Sequence, residues 1–161
     1  MIQKFKTEAA LHSPCSEGIE LLSACKTRKD LFRLSMSPGC VDFVMRSISE
    51  GWGPSPHEME TIFSAFINGG YTPRYTYGDS QSDAQMWVNS RKVRIDDTVR
   101  WLVLVGCKGT VEVGDWQVVK IVVDCNCDID LVCSDSSVVY VENYGGRISD
   151  LRKNSRITEK I

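Results

Sequence analysis

Apolar residues recur at helical spacing up to about residue 70 and at alternate positions beyond it, so the chain divides into a helical half and a strand half. Ser16 can cap a helix carrying Ile19, Leu21, Leu22 and Cys25, and Thr27 can cap a second with Leu31, Phe32 and Leu34 as its apolar stripe. A third follows Pro38 and Gly39, where Val41, Val44, Met45 and Ile48 keep one face apolar until Gly51. Ser55, Pro56 and Glu58 place a cap, a first-turn proline and a capping-box acid in order ahead of Met59, Ile62, Phe63 and Phe66. Asn68, Gly69 and Gly70 stop that fourth helix.

Residues 71–83 are rich in Tyr, Thr, Gly, Ser and Asp and suit a hairpin or an ordered surface loop. After them β-branched residues predict strands over 86–95, 100–105, 110–113, 117–123, 128–133, 137–142 and 147–149. Val103, Ile121 and Val139 are 18 apart, as are Val105, Val123 and Val141, and so are Cys107 and Cys125. Such a period fits a small β-solenoid, in which Cys107 would lie over Cys125; an evenly spaced antiparallel meander fits it equally. The expected fold is therefore α+β, a helical half packed on an all-β half. Its segments are a helical subdomain at 1–70, a connecting hairpin and loop at 71–99, a repetitive β subdomain at 100–149 and a charged tail at 150–161.

Composition narrows the class without naming a function. With 161 residues, 42% hydrophobic and 25% charged, the chain can bury one sizeable core, and a net charge of -2 provides no basic field to concentrate nucleic acid. Met1 to Pro14 lacks the apolar run of a signal peptide or membrane helix, so a cytoplasmic protein without a membrane anchor is expected. Seven cysteines leave one unpaired in any full set of disulfides, which favours free thiols in a reducing compartment.

Few residues assemble into candidate chemistry. Cys125, Cys127 and Cys133, with Cys107 as a fourth, raise a zinc reading, but one tight pair and two isolated thiols do not match zinc-knuckle spacing. His57 lies beside Glu58 and Glu60 in a first helical turn, where capping and the helix dipole already account for the acids. Neither Gly51-Trp52-Gly53-Pro54 nor Asn68-Gly69-Gly70 has the form of a phosphate loop. Arg74, Tyr75 and Tyr77, then Trp87, Arg91, Lys92 and Arg94, interleave basic and aromatic side chains; on an acidic chain they read as outward charges on strands. Trp101 belongs to an apolar run and to the core. Trp52, Trp116 and Tyr144 stand at turns next to glycines, where a ring either covers the core edge or anchors a partner.

Ala24-Cys25-Lys26-Thr27, Gly39-Cys40-Val41-Asp42-Phe43 and the valine-rich repeats ending in Tyr144-Gly145-Gly146 together resemble a group of uncharacterised small proteins of gut bacteria and their phages or mobile elements. The resemblance runs from about Ser16 to Ile148 and implies a setting in which small non-enzymatic proteins bind a host factor or a virion component. The expectation is a protein-binding module with Trp52, His57, Trp116 and Tyr144 as contact residues, no catalytic or metal site, no cofactor, and a possible homo-oligomer. The alternative is a small hydrolase or transferase using a Cys/His/carboxylate site.

Overall fold

Backbone capping sets the helices. In the computed structural model, which describes residues 2–12, 16–77, 80–150 and 157–160, five helices occupy the first half: α1 (Ile2–His12), α2 (Ser16–Ala24), α3 (Arg28–Ser35), α4 (Val41–Ser49) and α5 (Pro56–Phe63). Thr27 and Asp30 exchange the two hydrogen bonds of a capping box at the start of α3, and Ser55 and Glu58 do so at α5. Ser16, expected as a cap, is the first residue of α2 itself. α1 was not expected from its weak apolar pattern; it is held by contact, with the Lys6 ammonium donating to the Cys25 carbonyl and Ala9 buried.

The fourth predicted helix stops earlier than Asn68. Phe66 and Ile67 both turn back onto the Phe63 carbonyl, and Asn68 instead donates its N–H to Met86 while its side chain clasps the N–H and C=O of Val88. The chain thus leaves the helix to bind the sheet. Asn68 at φ 55° and Gly69 at φ 83° make the reversal.

The second half is a two-sheet parallel β-solenoid, which excludes the meander. β1 (Arg74–Tyr77) pairs antiparallel with β2 (Ser80–Val88), so the segment 71–83, expected as a hairpin or an ordered surface loop, holds a hairpin. Then β3 (Lys92–Arg94), β4 (Val99–Val105), β5 (Lys108–Val113), β6 (Val118–Val123), β7 (Asp128–Cys133), β8 (Val138–Asn143), β9 (Arg147–Asp150) and β10 (Ile157–Lys160) alternate between sheets. One sheet has the order β1-β2-β4-β6-β8-β10 and the other β3-β5-β7-β9. The single strand expected over 86–95 is two, because the corner after Val88 carries the chain from one sheet to the other. Residues 151–156 of the expected charged tail lie outside the described residues, and 157–160 form a strand beside β8.

The constant 18-residue register does not hold. Leu102, not Val103, lies beside Ile121; Val118 pairs with Val138 and Lys108 with Asp128, intervals of 19 and 20 residues. Corner length is the cause: two residues, Gly106 and Cys107, join β4 to β5, whereas four, 124–127, join β6 to β7. The equal spacing of the valines is a coincidence of alternation within a genuine solenoid. Cys107 is consequently displaced from Cys125: its carbonyl accepts from the Asp128 N–H, which sets it beside Cys127.

Two cores result. Inward residues such as Leu102, Leu104, Ile121, Val123, Ile129, Leu131 and Val139 fill the space between the sheets. Helical residues including Phe32, Met45, Met59 and Phe63 cover the outer face of the larger sheet at Met86, Val88, Val103, Val105 and Val122. Gly106 permits this docking: at φ 61° a Cβ there would lie 2.7 Å from the Pro56 Cβ and 2.7 Å from the Asn89 Oδ1.

Candidate protein-binding face

In β6 and β8 every second residue points outward, yet several of those positions are apolar. Val119, Ile121 and Val123 are buried between the sheets, which turns Val118, Lys120 and Val122 to the other face. Val139 and Val141 do the same for Val138, Tyr140 and Glu142. The helices cover Val122 but stop short of the rest. Val118 is 46% exposed, Val138 37% and Tyr140 50%. Register brings them together, Val118 beside Val138 and Tyr140 beside Lys120. At one boundary the Lys120 ammonium is 2.6 Å from Glu142 and lies over the Trp101 ring at 5.1 Å.

Trp116 stands in the corner that leads into Val118 and is 81% exposed. Its φ is 60°, a left-handed conformation that a bulky side chain disfavours. The corner is clamped by buried Gln117, whose amide oxygen accepts from the Gly114 N–H at 2.7 Å and whose amide nitrogen donates to Asp96 of the preceding coil at 3.1 Å. The clamp fixes the backbone while the indole makes no use of the core.

The outer face of the smaller sheet is different in kind. Lys92 pairs with Glu112 at 3.1 Å and Arg147 with Asp128 at 2.8 Å, each across neighbouring strands. Apart from Val132, which is 37% exposed on β7, these strands present a solvated, ion-paired surface.

The other expected contact residues are engaged or dispersed. Trp52 is half-buried, stacked on His12 at 4.1 Å and tilted against Phe43, and its indole N–H donates to Glu50 at 2.7 Å. Tyr144 packs against the helical core and donates its hydroxyl to Asp42 on α4 at 2.8 Å, with its phenol pKa pushed up first by burial and then by that carboxylate. These two rings cover core edges. His57 is exposed on the first turn of α5, and among the described residues its ring is hydrogen-bonded to no thiol or carboxylate. Trp116 and Tyr144 occupy corners at opposite edges of the coils, so the structure does not unite the four into one site.

Among the described residues no three of the His, Cys, Asp and Glu side chains are grouped to hold a metal ion. Of the basic and aromatic residues of 74–94, Arg74 pairs with Asp83, the Tyr75 hydroxyl donates to the Arg33 carbonyl and the Trp87 indole to Gln85, while Arg91, Lys92 and Arg94 are exposed, the last two as outward charges on β3. The side chain of Tyr77 lies outside the described residues. Among the described residues no helix is long and apolar enough to cross a membrane. Val118, Val138 and Tyr140 were missed by sequence reading, although the doubled valines of Val118-Val119 and Val138-Val139 carried the signal: both faces of those strands are apolar where one should be polar. No family model, no curated protein and no solved structure matches this chain.

Proposed function

We propose that the protein is a non-enzymatic binding module whose contact surface is Trp116, Val118, Val138 and Tyr140. The observation that carries this reading is Trp116, an almost fully exposed indole held in a disfavoured backbone conformation by a clamped corner beside an uncovered apolar strip. Folding gains nothing from that side chain, and strain retained without a folding benefit points to use elsewhere. The fitting partner is an amphipathic segment of another protein, because the strip continues the apolar face that the helices of this chain already cover. Four side chains fall well below the roughly 800 Å² per partner of a stable dimer, which favours a segment over a second copy. The resemblance to small proteins of gut bacteria and phages makes host proteins and virion components the first partners to try.

The test compares the wild type with Trp116→Gly and Tyr140→Ser for a partner captured and identified from host lysate. A central aromatic anchor should weaken binding by about thirtyfold or more when truncated. A partner held equally by both variants, or no partner at all, would overturn the reading.

A further inference from the structure

The shorter corner after β4 has a chemical result. Cys107, in that corner, and Cys127, at the end of the next coil's corner, sit beside one another in the parallel ladder, directly before the Lys108 and Asp128 pair. Both side chains face inward, 1% and 3% exposed. The two thiols are close enough to shift each other's pKa, and the Cys107 Sγ donates to the Trp87 carbonyl at 3.3 Å. Neighbouring strands lie about 4.8 Å apart, inside the roughly 4.4–6.8 Å between Cα atoms that a disulfide bridges.

We infer that Cys107 and Cys127 form a redox-modification site that closes to a disulfide between successive coils when a small peroxide is the oxidant. The Cys107 sulfur, after losing its proton, attacks one oxygen of hydrogen peroxide; the O–O bond breaks, hydroxide leaves and takes up a proton as water, and Cys107 becomes a sulfenic acid. The Cys127 sulfur then attacks the Cys107 sulfur. The S–O bond breaks, and the departing oxygen leaves as water with the Cys127 proton. Two thiols are oxidised and one peroxide is reduced to two waters. Cys107 is the natural first nucleophile, because the neighbouring Cys127 lowers its pKa while the Cys127 thiol is pushed far up by Cys107, by burial and by Asp124. Only small oxidants reach so buried a pair. Cys125, two residues away and half-buried, packs against the helical core instead.

The experiment treats the folded full chain with hydrogen peroxide, blocks remaining thiols, and maps disulfides by mass spectrometry after digestion. The expected product is a Cys107–Cys127 linked peptide, accompanied by a thermal midpoint raised by roughly 5–10 °C and restored by dithiothreitol, since the bridge closes a loop of some twenty residues. Cys125→Ser should keep the link and Cys127→Ser should abolish it. Recovery of both thiols in reduced form, a Cys107–Cys125 bridge, or loss of the link in Cys125→Ser would each overturn the inference. The wild-type map decides the matter even if a variant fails to fold.

Discussion

A tryptophan at φ 60° that touches little of its own protein is a cost without a local return. Glycine accepts that conformation freely, and the left-handed region costs an L-residue about 1 kcal/mol or more. Trp116→Gly is therefore expected to stabilise the fold by about 0.5–1 kcal/mol, because the ring is too exposed to lose much burial and the Gln117 clamp remains. In a protein of this length the thermal midpoint should rise by roughly 2–3 °C, read by calorimetry. A fall would mean the indole supports the corner, and the argument for an external role would lose its basis. Opposite movements of stability and binding on one substitution are the expected signature of a contact residue.

At the scale of elements, β1 is fastened to the solenoid by one well-formed ion pair. Arg74 Nε donates to Asp83 Oδ1 at 2.6 Å and Nη2 to Oδ2 at 3.0 Å, and this bidentate contact holds the Asp83 carboxyl below its ordinary pKa. A depressed carboxylate contributes stability that is complete above its unfolded pKa, about 3.9, and disappears as pH falls through the lower folded value. Urea midpoints measured from pH 6 down to pH 2 should thus fall less steeply below pH 4 in Asp83→Asn than in the wild type. Parallel curves would show that the pair is not populated in solution. The same scale shows what could be read without coordinates. Thr27 and Ser55 act through neighbours three residues away, and Val41, Val44, Met45 and Ile48 recur at helical spacing, so α3, α4 and α5 were visible in the sequence, whereas Asn68 finds its partners at Met86 and Val88. The helix at Ile2–His12 was not, because Lys6 finds its partner at Cys25. From β4 to β9 strand positions were legible from alternation, but register depended on corner length, and corners of two and four residues look alike between strands of alternating apolar residues. For the candidate site, Trp116 was legible as a ring at a turn. Val118, Val138 and Tyr140 required knowing which face the helices leave bare.

For the whole molecule, a solenoid is quasi-one-dimensional, and each coil is held chiefly by the coils beside it. The larger sheet ends on β10, whose Ile157, Thr158, Glu159 and Lys160 run in register with Val139, Tyr140, Val141 and Glu142. A chain ending at Asn154 loses that strand. The inner coils keep their neighbours, so β4 and β6 should retain full amide protection from hydrogen exchange. β8, by contrast, becomes an open edge whose N–H and C=O groups lack a partner on one side. The expected result is a folded protein with faster exchange along residues 138–143, a thermal midpoint lower by roughly 3–6 °C, and a greater tendency to associate at micromolar concentration. If the midpoint and the exchange of β8 are both unchanged, the last strand contributes nothing and the sheet is complete at β8. If β4 and β6 lose protection as well, the coils unfold as one cooperative unit and nearest-neighbour additivity fails.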